Sequence, residues 1–153
     1  MRPWERRAFN LLALVVAATG FAYFWMKYLL QTDDPFAVVN HPWQPLMLTL
    51  HLLTSPPLVL MFGIILNSHV MKQLRVQRTA NRTSGLLSFG TFATMVLSGY
   101  LLQVTTDQWW LQALVAVHVG SGAVFTVAYA VHLVVSTRLL RKRPAASAYR
   151  EVA

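Results

Sequence analysis

Four long apolar stretches divide the chain and leave little of it outside them. The first reads "AFNLLALVVAATGFAYFWMKYLL" over residues 8–30, and the others cover 45–70, 84–104 and 109–138. Each is long enough to cross a hydrocarbon layer of ~30 Å as a helix rising ~1.5 Å per residue. Of 153 residues, 56% are hydrophobic and 12% charged, whereas soluble domains carry about 25% charged residues. These stretches predict an all-α protein, a four-helix transmembrane bundle in a single domain over residues 1–143, with a loosely ordered tail at 144–153.

The net charge of +8 at first suggests a nucleic-acid partner, but its distribution points to a membrane. Arg2, Arg6 and Arg7 precede the first stretch. Lys72, Arg75, Arg78 and Arg82 lie between the second and third, and Arg138, Arg141, Lys142, Arg143 and Arg150 follow the fourth. The other two loops hold Asp33, Asp34 and Asp107, with Lys27 the only base near them. Clusters of Lys and Arg mark cytoplasmic flanks, so both termini are expected in the cytoplasm and membrane lipid, not nucleic acid, is the expected partner. Trp43, Trp109 and Trp110 suit an outer aromatic belt and Trp4 an inner one.

The first stretch begins like a signal peptide, but its apolar character continues through Phe21, Tyr23, Phe24 and Trp25 with no polar start after a small-residue cleavage site. It is therefore expected to stay as a helix. Loops of about 13 residues between the middle stretches and about five between the last two favour an up-down-up-down antiparallel order. Pro56 and Pro57 interrupt the backbone hydrogen bonding of the second helix, where a kink is expected. With no cysteine, disulfides, cysteine-ligated clusters and a C-x-x-C-H haem attachment are excluded.

Histidine placement narrows the function. Of five histidines, His41 falls in an outer loop, where it reads as a loop residue, and the other four fall within stretches. His51 and His69 are on the second, His118 and His132 on the fourth, and the first and third have none. Eighteen residues make five turns at ~3.6 residues per turn, so His51 and His69 share a face. Fourteen residues fall ~40° short of four turns, so His118 and His132 share one too. His51 and His118 lie at similar depth from the outer side. His69 lies ~6 Å deeper than His132, about four residues of helical rise.

A histidine in a membrane span is costly and faces a partner or a cavity. Two on each of two helices suit bis-histidine ligation of haem iron, each helix giving one imidazole nitrogen while the other ring nitrogen bonds a carbonyl or hydroxyl. Interhelical hydrogen bonding without any cofactor is the plainer alternative. Gly63, Gly99, Gly120 and Gly122 stand where small residues would let a porphyrin approach the backbone, or where helices pack closely. Arg75, Arg78 and Arg82, or the C-terminal arginines, are either partners for propionates of an inner haem or solvated cytoplasmic charges. No charged residue lies at the centre of a stretch, which disfavours an ion-coupled transporter. Histidines four or five turns apart do not suit one zinc ion, and no carboxylates are present for a di-iron site.

Four helices with histidine pairs on the second and fourth, and the segment "HVGSGAVFTVAYAVH" above all, resemble membrane di-haem b-type cytochromes across essentially the whole chain. The nearest likeness is to bacterial cytochrome b561-like proteins and b-type subunits of membrane-bound oxidoreductases. The resemblance implies two haem b groups, one held by His51 with His118 and one by His69 with His132. It also implies electron transfer across a bacterial inner membrane between a quinone pool and a partner redox protein. The rival is a cofactor-free anchor or assembly subunit of a larger complex.

Overall fold

The computed structural model describes residues 2–31, 36–37, 39–66, 71 and 82–141, with backbone alone for 82 and 139–141. Among them the chain is all-helical. Helix α1 runs Pro3–Phe24 and continues as one wide π-turn, Trp25–Leu29. Helix α2 spans Gln44–Ile65, α3 spans Arg82–Val104 and α4 spans Gln108–Arg141. All four are long and apolar enough to cross a membrane.

Local chemistry sets the helix ends. Helix α1 starts five residues before the apolar stretch does. Pro3 occupies its first turn, and Glu5 accepts a 2.7 Å hydrogen bond from the Arg2 N–H, which closes a capping box. Proline suits a position whose N–H has no intrahelical acceptor, and the carboxylate meets another orphan donor. At the other end, Leu30 N–H reaches Trp25 O at 2.9 Å, the i→i+5 bond of a π-turn. Helix α2 passes through Pro56 and Pro57 as one helix. Helix α4 starts at Asp107, whose carboxylate accepts from Trp110 N–H at 3.0 Å, an ordinary aspartate N-cap. The expected second stretch reached residue 70, but residues 67–70 lie outside the described ones, as does the tail at 144–153.

The chain divides into two compact units, residues 1–77 and 78–153, each a helical hairpin. In the first, Phe9 of α1 meets Phe62 of α2 with ring centroids 6.3 Å apart, and Gly20 meets His51. Contact positions rise along α2 as they fall along α1, so the two helices run antiparallel. Phe9, Ala13 and Val16 on α1, with Leu58 and Ile65 on α2, are buried. Outward-facing Leu11, Leu14, Leu53 and Leu60 are 63–68% exposed. A water-soluble hairpin would not leave such leucines bare, whereas a lipid-facing one would.

The second hairpin follows a seven-residue ladder. On α3 it reads Gly85, Phe92, Gly99, and on α4 His118, Phe125, His132. Seven residues fall ~20° short of two turns, so each set keeps to one face. Phe92 and Phe125 are buried and lie 5.4 Å apart, and Tyr129 stacks on Phe125 at 5.5 Å. Between helices in lipid, close packing and hydrogen bonds replace the hydrophobic drive that holds soluble cores together. Buried hydroxyls in both hairpins turn back onto their own helices. Thr19 donates to Val15 O at 2.7 Å, Ser88 to Ser84 O at 2.8 Å and Ser98 to Thr94 O at 2.8 Å.

Candidate functional site

Three of the four span histidines fall among the described residues, and each is seated on the other helix of its own hairpin. His51, half-buried on α2, has Nδ1 3.0 Å from the Val16 carbonyl oxygen. A carbonyl only accepts, so Nδ1 carries the proton and donates. One turn further along α1, Gly20 lies beneath the ring. A Cβ there would stand 2.8 Å from Cε1 and 3.0 Å from Nδ1. That is closer than a methyl carbon is tolerated, so the imidazole occupies space that any other residue would fill.

The second hairpin repeats this arrangement. His118 Nδ1 lies 2.9 Å from Met95 O, and a Cβ on Gly99 would lie 3.0 Å from its Cε1. The carbonyl again stands four residues before the glycine. Ser98 Oγ adds a longer contact to Nδ1 at 3.3 Å. Because the Ser98 proton is given to Thr94 O, its oxygen accepts from the ring. The corresponding contacts of His132 are longer. Its Nδ1 lies 3.4 Å from Ser84 Oγ, and a Cβ on Gly85 would sit 3.5 Å from its Cε1, an ordinary contact. A hydroxyl both donates and accepts, so this bond does not by itself place the ring proton.

Fourteen residues separate Gly85 from Gly99 and also His118 from His132, so the antiparallel register carries both glycine–histidine pairs. In the first hairpin, the position fourteen after His51 is Ile65, which is buried. His69 lies outside the described residues, as do the side chains of Arg75, Arg78 and Arg82. His41 sits in the turn before α2, where its Nδ1 accepts from Trp43 N–H at 3.1 Å. That ring carries no proton on Nδ1, the opposite of His51 and His118.

Of the four glycines expected beside the ligands, Gly99 meets an imidazole. Gly122 packs on Met95 Sδ, 3.5 Å from an added Cβ, and a Cβ on Gly63 or Gly120 would meet no described residue beyond its own helix backbone within 4 Å. Gly20 and Gly85 escaped the sequence reading. The signal that would have found Gly85 is the fourteen-residue glycine spacing on α3, which copies the histidine spacing on α4.

A ring protonated at Nδ1 keeps its lone pair on Nε2, the atom that a metal takes. Metal-bound histidines nearly always donate their other N–H to a carbonyl, carboxylate or water, which fixes the ring and raises its basicity. His51 and His118 have that chemistry, so the donor set fits an axially ligated haem iron. Among the described residues no three His, Cys, Asp or Glu side chains gather around one point. No protein-family model matches the chain, nor does any curated protein or solved structure.

Proposed function

We propose that this chain is a membrane b-type cytochrome that carries electrons across the bilayer through two bis-histidine haem b groups. The observation that carries the proposal is the common seat of His51 and His118. Each donates its Nδ1–H to a carbonyl on the neighbouring helix, each lies on a glycine, and each keeps its Nε2 lone pair. The pairings expected from the sequence, His51 with His118 and His69 with His132, belong to this proposal. So do the up-down-up-down order, the cytoplasmic termini, the bacterial inner membrane, and exchange with a quinone pool and a partner redox protein.

In this reading the haem iron, when bound, supplies one-electron chemistry. The protein's part is to hold and tune it. Val16 O and Met95 O orient the two imidazoles and make them stronger donors, which favours the oxidised metal. The apolar helices keep water from the ligands. Gly20 and Gly99 let the rings lie against the neighbouring backbone without distortion.

A second reading has its own support. Each seat is also an interhelical hydrogen bond, worth about 0.6 kcal/mol and at most ~1.7. Such bonds would clasp the hairpins of a cofactor-free anchor or assembly subunit just as well. Reduced-minus-oxidised spectra of the detergent-purified protein from haem-replete cells, with a pyridine haemochrome assay, separate the two. The cytochrome reading expects Soret and α bands and two haems per chain. Their absence leaves the anchor.

A further inference from the structure

Lys27 stands apart from the other basic residues. Between Arg7 and Lys72 it is the only Lys or Arg in the chain. It lies at the end of α1 remote from Arg2, Arg6 and Arg7, inside the π-turn Trp25–Leu29. π-turns interrupt helices at a cost and are frequent at functional sites. This one is pinned, because Asn40 Nδ2 donates to Lys27 O at 3.0 Å, and the Asn40 N–H in turn donates to Gln44 Oε1 at 3.1 Å. Gln44 is buried at the start of α2. The backbone of Lys27 is thereby tied to the beginning of the next helix.

The side chain is held as well. Its ammonium lies 5.6 Å from the ring centroids of both Tyr23 and Tyr28. Two aromatic faces within ~6 Å favour a cation at that spot. Val16, Gly20, Tyr23 and Lys27 follow one another at steps of three or four residues, so they form one stripe on α1. The lower half of the stripe is the seat of His51. Lys27 stands seven residues above Gly20, ~10 Å along the axis at ~1.5 Å per residue.

We propose that Lys27, steadied by Tyr23 and Tyr28, is a positioned anion partner for the ligand held at His51, and that the anion it takes is a propionate of that haem. The inference rests on the cytochrome reading. A group coordinated at His51 and reaching toward this end of the hairpin meets the stripe's one cation about two turns away. Carboxylates in an apolar setting need such a partner. A lipid phosphate offers the same anionic oxygens, and the test separates the two sources.

The test compares wild type, Lys27→Gln and Lys27→Arg by pyridine haemochrome, redox titration and resonance Raman spectroscopy. Each is measured in phosphatidylcholine vesicles with and without phosphatidylglycerol. Wild type without haem defeats the cytochrome reading, and this inference falls with it. With haem present, removing a positive charge beside the propionate disfavours the reduced state. K27Q is then expected to keep its haem, to lower the midpoint of one haem by about a tenfold change in its redox equilibrium, ~59 mV for one electron, and to shift the propionate bending mode. K27R is expected to restore both, in either lipid. Unchanged midpoints and propionate modes in K27Q would overturn the assignment with the cytochrome reading intact. A change seen only with phosphatidylglycerol would overturn it too, in favour of the lipid phosphate.

Discussion

Gly20 and His51 occupy each other's space: a Cβ on the glycine would stand 2.8 Å from Cε1 of the imidazole, while Nδ1 of the same ring holds Val16 O at 3.0 Å. The ring cannot retreat from a methyl group without giving up its hydrogen bond. Gly20→Ala is therefore expected to destabilise the first hairpin by ~1–3 kcal/mol, as overpacking does, and to lower haem content. Gly85→Ala supplies the control, because its Cβ would meet His132 at 3.5 Å and should be accommodated. Thermal unfolding in detergent and haem per chain report on both. Equal losses in the two variants would remove the steric argument.

His118 Nδ1 has Met95 O at 2.9 Å and Ser98 Oγ at 3.3 Å. His118→Ala removes a ligand and an interhelical bond worth about 0.6 kcal/mol, too little to prevent insertion. Purified from membranes, the variant is expected to hold one haem where wild type holds two. Unchanged stoichiometry would show that His118 is not a ligand.

The two seats of the second hairpin differ in their acceptors, and their electronics should differ with them. Ser84→Ala deletes the hydroxyl facing His132 Nδ1. Ser98→Ala leaves the Met95 carbonyl on His118. A less basic imidazole favours the reduced metal less weakly than a strongly donating one does. Ser84→Ala is thus expected to raise one midpoint by about a threefold change in equilibrium, ~30 mV at ~59 mV per tenfold step. Ser98→Ala should move neither midpoint appreciably. Potentiometric titration of both variants decides it, and the reverse ranking would contradict the seat assignments.

The proposed orientation is open to direct labelling, since the chain has no cysteine of its own. In right-side-out vesicles, a membrane-impermeant maleimide should modify Thr106→Cys, in the short loop before α4, and spare Ser147→Cys, between Arg143 and Arg150. Labelling only at Ser147→Cys would invert the topology inferred from Lys and Arg placement.

The helices were legible because lipid-spanning length and composition are properties of a single segment. Helix α3 begins two residues before the expected 84 and ends at the expected 104. Helix α1 begins early because its first turn is built from Pro3 and the charged pair Arg2 and Glu5, which an apolar pattern does not mark. The histidines could be assigned to helix faces from spacing alone, but not to seats. A seat needs the register between two helices, and neither helix's own period contains it. Val16 and Met95 take part through backbone carbonyls, which no side-chain pattern marks. Gly63 and Gly120 share the ligand-bearing helices. The glycines under the rings, Gly20, Gly85 and Gly99, all belong to the opposite helix of each hairpin.

The Val16–His51 bond has a consequence for biogenesis. Both partners lie within the first 77 residues, ahead of the whole second hairpin in chain order. The clasp that turns the His51 ring and places its proton therefore needs no residue of the second hairpin. The later hairpin brings its own, at Met95 and His118. Each hairpin carries its own seat, and a fault in one should leave the other hairpin sound enough to isolate.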